Sequence, residues 1–178
     1  MDEPASPVVD LADAVVVDGA RLAAIGPYDE LAATYGARAR VRAWDGVLTP
    51  GGYEPDGAAY LEATYHPDPR EADALGSEPL TGRALAALDM PDTRWGASAR
   101  RGLQRLLAAG TTAVTGPFTR PAVRTAVQRS GLRVLPGPGP EPRPRALAVG
   151  GPADFAVFGA DGACLVTVLD GRLVFRRR

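Results

Sequence analysis

Short apolar runs broken by aspartate–glycine pairs mark both ends of this chain. The pairs are Asp18-Gly19, Asp45-Gly46, Asp161-Gly162 and Asp170-Gly171. The apolar runs beside them are AVVV (14–17), ARLAAI (20–25), VLTP (47–50), DFAVFG (154–159), CLVTVLD (164–170) and RLVFR (172–176). Because such a pair between apolar runs strongly indicates a hairpin turn, both ends are predicted to form antiparallel β-structure. A single small sheet or sandwich built from the two termini is the simplest arrangement.

The middle of the chain has a helical rhythm instead. Apolar residues at the spacing of an amphipathic helix are Trp95, Ala99, Leu103, Leu106 and Leu107, between a predicted N-cap at Asp92 and a stop at Gly110. A buried strand (111–116), a second helix (121–130) and another strand (132–137) follow. Helix, strand, helix, strand at this spacing predicts parallel strands joined by right-handed crossovers. The middle section is therefore predicted to be α/β.

Prolines occupy alternate positions after Leu135, at 136, 138, 140, 142 and 144. Alternating proline continues neither a strand nor a helix, so residues 136–147 are predicted to be a stiff, extended connector. A PxxP ligand for a partner domain is the alternative. The predicted fold class is α/β plus β, with a composite β-subdomain from 1–50 and 148–178 and an α/β section from 51–135.

Length and charge exclude several classes of partner. The 178 residues, 46% of them hydrophobic, are enough for one domain or two small ones with a real core. A net charge of −1 gives no electrostatic reason to expect nucleic acid or an anionic membrane as a partner. No apolar stretch approaches the roughly 20 residues of a membrane helix, and the start MDEPASPVVD lacks the order of a signal peptide. These features predict a cytoplasmic protein.

Three residue types limit the chemistry. The chain has no lysine, which excludes a Schiff base, a P-loop lysine and a carbamylated-lysine metal bridge. His66 is the only histidine, so one chain cannot build a site of several imidazoles. Cys164 is the only cysteine and lies in an alternating apolar run, which favours a buried structural thiol over a nucleophile.

Four stretches together resemble the amidohydrolase superfamily. They are ADAVVVDGARLAAIGPYDEL (12–31), VLTPG (47–51), WGASARRGLQRLLAAGTTAV (95–114) and GGPADFAVFGADGACLVTVLDGRLVFRR (150–177). The similarity is to the aminofutalosine deaminase, chlorohydrolase and imidazolonepropionase-like branches. It implies that the two termini join into a small composite β-sandwich beside a metal-binding (β/α)8 barrel.

The chain departs from that family where the metal should bind. The family places a His-x-His pair just after the Pro-Gly of barrel strand one, and the matching positions here are Asp56 and Ala58. The later metal ligands have no counterpart either. A full barrel takes about 250 residues, whereas about 100 remain between the terminal stretches, enough for about three parallel strands. We therefore expect a truncated barrel fragment, with the connector as the splice across a deletion, and neither catalytic residues nor a cofactor or metal.

The residues near this loop nevertheless offer candidate chemistry. Glu54, Asp56 and Glu62 could supply paired carboxylates, with His66 nearby in the sequence. One divalent metal, zinc or magnesium, or a general acid/base pair are the corresponding alternatives. The simpler interpretation is that the carboxylates are solvated loop charges and that His66 is a surface or capping residue.

Three functions remain open at the level of the sequence. The first is a catalytically inactive amidohydrolase-like protein retained as a binding or partner module, which self-associates or docks on another protein because a truncated parallel sheet leaves open edges. The second is a metal-dependent hydrolase of C–N bonds, similar to a deaminase, with a non-standard site. The third is a small-molecule binding protein that uses the old substrate cleft without chemistry.

Overall fold

A computed structural model describes residues 13–137 and 146–177 and has a mixed α/β fold with antiparallel sheets and one parallel sheet. The strands are β1 (Ala14–Asp18), β2 (Arg21–Gly26), β3 (Val47–Pro50), β4 (Gly52–Glu54), β5 (Thr111–Thr115), β6 (Arg133–Leu135), β7 (Phe155–Phe158), β8 (Cys164–Leu169) and β9 (Arg172–Arg176). The helices are α1 (Tyr28–Tyr35), α2 (Gly57–Glu62), α3 (Ala72–Leu75), α4 (Gly82–Ala86), α5 (Asp92–Ala108) and α6 (Pro121–Ser130), with a 3-10 turn at Pro69–Glu71. Most of the predicted proline-rich connector and residues 1–12 of the predicted β-subdomain lie outside the described residues.

The antiparallel structure predicted at both ends is confirmed. Strands β1 and β2 form a hairpin, and a four-stranded sheet has the order β3-β7-β8-β9, so a strand from the first third of the chain pairs with the C-terminal strands. The turns at Asp18-Gly19 and Asp170-Gly171 form as predicted, and both glycines have the positive φ that such turns require, +57° and +72°.

A hairpin through Asp45-Gly46 does not form, so the prediction of a turn there is wrong. Residues 40–44 contain no strand, and β3 pairs with β7 instead. Residues 40–43 are all exposed, and only Trp44 packs against the core. Val41 and Ala43, which would share the apolar face of such a strand, stay exposed, so no packing stabilises a strand here.

The predicted parallel section is also confirmed. Strands β4, β5 and β6 form a three-stranded parallel sheet in that order, and α5 and α6 are the crossover helices. Every residue of the central strand β5 is buried, as expected for a parallel strand covered on both faces. Within the described residues the three strands do not close into a barrel.

The chain passes from the antiparallel sheet to the parallel sheet at Gly51, between β3 and β4. A Cβ atom at this position would collide with the side chain of Thr112 in β5, so only glycine allows the two sheets to approach this closely. VLTP (47–50) is among the runs predicted to be antiparallel, and the resemblance implies that it also leads into barrel strand one. The structure assigns that strand to the antiparallel sheet and places a separate strand, β4, in the parallel one.

Two apolar clusters form the core. The first joins the helices to the parallel sheet and includes Leu61, Leu103, Val114 and Val127. The second lies between β2 and the four-stranded sheet, and it includes Leu22, Phe155, Val157, Val166 and Val168. Cys164 is buried, as its place in an alternating apolar run predicts. Asp92 is the first residue of α5 rather than its N-cap, a position taken by Pro91.

A buried carboxylate links the parallel sheet to the antiparallel one. Asp154, 3% exposed, pairs with the Arg133 guanidinium of β6 and accepts a 2.8 Å hydrogen bond from the backbone N–H of Asp170. Arg133 also pairs with the Asp170 carboxylate at 2.6 Å. These contacts fix the β8–β9 turn against the end strand of the parallel sheet. Among the described residues, no helix is both long and apolar enough to cross a membrane.

Candidate functional site

A depression of about 380 Å³ lies at the C-terminal ends of β4 and β5. Its walls are the loop at 55–58, which follows β4, and the segment at 115–117, which ends β5. The carboxyl ends of parallel strands are the usual place for ligands in α/β folds. Asp56 and Ala58, the positions at which the amidohydrolase resemblance would place a His-x-His pair, both line this depression.

Glu54 and Asp56 lie close together here, but each carboxylate binds a backbone N–H group rather than facing the other as a pair. The Asp56 carboxylate accepts a 3.2 Å hydrogen bond from the N–H of Ala59 and caps the first turn of α2. The Glu54 carboxylate accepts a 2.9 Å hydrogen bond from the N–H of Asp56. Both carboxylates therefore hold the conformation of the loop.

Glu62 lies at the opposite end of α2 and does not line the depression. Its carboxylate accepts hydrogen bonds from the N–H and hydroxyl of Thr119, at 3.1 and 2.9 Å, and from the N–H of Arg120, at 2.6 Å. This side chain fixes the loop that leads into α6. The structure does not bring it into a pair with Asp56.

Of the two places expected for His66, surface or capping, the surface is wrong, because the residue is fully buried. Its backbone N–H donates to Ser98 Oγ of α5 at 2.9 Å, and its Nε2 atom lies 2.9 Å from the carbonyl oxygen of Tyr60. Burial is the main reason that the pKa of His66 is lowered, which keeps the imidazole neutral. Its Nδ1 atom has no partner among the described residues. His66 does not line the depression and has the contacts of a core residue.

A network around Tyr65, which follows α2, was missed by the sequence reasoning. The Tyr65 hydroxyl donates to the Glu71 carboxylate and accepts a 3.1 Å hydrogen bond from Arg94, whose guanidinium also pairs with Glu71 at 2.8 Å. The hydrogen bond from Tyr65 lowers the pKa of Glu71, and burial raises the pKa of Tyr65. The sequence signal was the Asp68-x-x-Glu71 spacing of a capping box, which the structure contains.

Within residues 13–137 and 146–177, no three His, Cys, Asp or Glu side chains lie close enough together to hold a metal ion. Asp56 is the single side-chain carboxylate on the depression wall. Protein sites for zinc, magnesium or calcium generally draw on several such donors. The expectation of a metal-free protein remains a prediction.

Comparisons with protein-family models, with curated proteins and with solved structures find no match to this chain. The resemblance to the amidohydrolase superfamily therefore rests on the four sequence stretches alone.

Proposed function

We propose that this chain is a catalytically inactive, amidohydrolase-like protein of imidazolonepropionase-like type that works as a binding or partner module. One observation carries the proposal: the candidate acid/base residues all make internal hydrogen bonds. Glu54 and Asp56 hold the loop before α2, Glu62 holds the loop before α6, and His66 packs beneath α5. General acid/base catalysis needs a group that can reach a substrate proton. Glu54, Glu62 and His66 do not line the depression, and Asp56, which does, is a lone carboxylate that caps α2.

The architecture proposed for this module is a composite sandwich beside a shortened barrel. The pairing of β3 with β7 joins the two ends of the chain, and Leu22 of the β1–β2 hairpin packs with Phe155 and Val166 of the four-stranded sheet. The parallel sheet β4-β5-β6 would then be the first three strands of the barrel. The parallel order and the two crossover helices support this assignment.

Ligand binding without chemistry is favoured by the depression itself. Its volume of about 380 Å³ falls in the range of small-molecule sites. Its lining combines the Asp56 carboxylate with Thr115 and otherwise with glycine, proline and alanine. Such a wall supports binding through backbone groups and shape.

Association with a second copy, or with another protein, is favoured by the edge of the parallel sheet. Among the described strands, β6 is an edge strand, and Val134 at its centre is 52% exposed. An exposed edge with an apolar side chain is a template for pairing with another chain. A homo-oligomer or a hetero-complex would cover this edge.

A deamination assay separates the inactive module from a C–N hydrolase with a non-standard site. The protein is loaded with zinc or magnesium, and ammonia release from nucleoside-like substrates such as adenosine is measured. We expect no release above that of the metal in buffer. Metal-dependent release that is lost in Asp56→Ala and retained in Asp29→Ala, an exposed aspartate on α1, would establish the hydrolase.

A further inference from the structure

A second groove, the α5–β9 groove, runs between the outer face of α5 and the edge strand β9, with a volume of about 490 Å³. One part of its wall is polar, with Arg101, Gln104 and Arg105 of α5, and the other is apolar, with Leu107 of α5 and Val174 and Phe175 of β9. We propose that this groove binds a small amphipathic carboxylate, with the carboxylate on the arginines and the apolar part against Val174 and Phe175.

The electrostatic part of the proposal depends mainly on Arg105. Its guanidinium donates a 2.5 Å hydrogen bond to the carbonyl of Ser77, and it forms no ion pair with any described residue. Arg101 is oriented by hydrogen bonds to His66 O at 2.7 Å and to the Tyr65 hydroxyl at 3.4 Å, but Asp68 at 3.3 Å compensates part of its charge. None of the residues that line the groove is acidic. A carboxylate matches these planar, partly uncompensated donors.

The direction of the ligand follows from the two walls of the groove. The guanidinium groups lie on α5 and the apolar side chains of Val174 and Phe175 on β9, so the carboxylate is placed on the helix and the apolar part on the strand. Val174, 38% exposed, and the half-buried Phe175 offer the matching apolar surface on β9.

This groove is separate from the depression beside Asp56. The two share no lining residue. Because α5 runs antiparallel to β5, its last two turns lie near the start of β5, whereas the depression lies at the end of β5. Binding in one place can therefore be measured independently of the other.

Backbone amide chemical-shift titration tests the proposal with octanoate as the probe and with octanol and octylamine as matched neutral and cationic probes. We expect octanoate to shift the amides of 101–108 and 174–175, and octanol and octylamine to bind at least about fivefold more weakly. Arg105→Gln is expected to weaken octanoate binding about fivefold to tenfold, because it removes one charged contact of a partly exposed site. Arg100→Gln, an exposed arginine of α5 outside the groove, is expected to leave the affinity unchanged.

Three outcomes would overturn the proposal. They are octanol binding as tightly as octanoate, an affinity for octanoate that Arg105→Gln leaves unchanged, and shifts confined to residues outside the groove. The amide spectrum of each unliganded variant reports whether its fold is intact. Shifts at 55–58 and 115–117 alone would assign the carboxylate to the depression of the proposed binding function instead.

Discussion

His66 and Asp154 are buried polar residues whose hydrogen bonds join separate elements of the fold. His66 is 0% exposed and is anchored on both sides, by Ser98 of α5 and by the carbonyl of Tyr60. Asp154 is 3% exposed and accepts from both an arginine and a backbone N–H. Buried polar groups of this kind cost free energy unless they are paired, so each has a direct effect on stability.

His66 should make the free energy of unfolding depend on pH, in a pH range where no other type of side chain has its ordinary pKa. Its pKa is lowered in the fold, so the unfolded chain binds a proton first as the pH falls below about 6.5. The free energy of unfolding should then decrease by up to about 1.4 kcal/mol per pH unit until the folded pKa is reached. Urea unfolding followed by tryptophan fluorescence at pH 7.5, 6.5 and 5.5 measures this slope.

The control for this slope is His66→Gln, which keeps the backbone N–H to Ser98 but cannot titrate. His66 is the only histidine, and carboxylates titrate near pH 4, so the variant should lose the dependence between pH 6.5 and 5.5. An equal slope in both proteins would show that His66 is not the group responsible.

Asp154→Asn should destabilise the fold, because Asn cannot replace a charge that pairs with Arg133 and also accepts from the N–H of Asp170. We expect a loss of about 2 kcal/mol in the free energy of unfolding, since Arg133 is partly exposed. The matched control is Asp161→Asn, which breaks an exposed 2.8 Å pair with Arg177 and should have little effect. Equal effects of the two substitutions in urea unfolding would contradict a special role for Asp154.

Helix α5 contributes residues to the α5–β9 groove, to the Tyr65 network through Arg94, and to the contact with His66 through Ser98. Its inner face covers the parallel sheet with Trp95, Ala99, Leu103 and Leu106, as the apolar spacing predicts. Two glycines also lie on buried positions of this helix, Gly96 and Gly102, where alanine would favour the helix by about 1 kcal/mol. Their surroundings differ, which gives a test of the packing between α5 and the segment that carries His66.

Gly102→Ala and Gly96→Ala should change stability in opposite directions. A Cβ atom at Gly102 would lie 2.6 Å from His66 Nε2 and 2.9 Å from a methyl carbon of Leu61, so we expect a loss of about 1–3 kcal/mol. At Gly96 the nearest atom would be 3.5 Å away, an ordinary contact, so we expect a gain of about 0.5–1 kcal/mol. Thermal unfolding of both variants measures the difference, and stabilisation by Gly102→Ala would show that His66 does not pack against α5 as described.

At the scale of the whole molecule, the larger periodic features could be predicted from the sequence. The apolar spacing of α5 and the turns at Asp18-Gly19 and Asp170-Gly171 have local signals that the structure confirms. The hairpin expected at Asp45-Gly46 does not form, and Val41 and Ala43 before it are exposed rather than packed against a neighbouring strand. Whether an Asp-Gly pair produces a hairpin therefore depends on how the segments on either side of it pack.

The candidate site was less predictable because its contacts join distant positions. Asp56 as a cap of α2 has a local signal, but the hydrogen bonds of Glu62 cross 57 residues to Thr119, and His66 reaches Ser98 of α5. The burial of His66 depends on the space left by Gly102, which no sequence pattern near residue 66 specifies. The sequence grouped Glu54, Asp56, Glu62 and His66 because they are close along the chain. In the fold, Glu54 and Asp56 lie before α2, Glu62 lies at its other end, and His66 lies in the core.

The central claim is that this chain is a metal-free module that acts by binding, and native mass spectrometry on the untagged, gently purified protein tests it most directly. One spectrum reports bound metal, retained small molecules and subunit number. We expect no metal and more than one subunit, as a homo-oligomer or a hetero-complex that covers the β6 edge. One zinc or magnesium ion per chain, lost on Asp56→Ala, would contradict the claim and assign catalysis to the loop after β4.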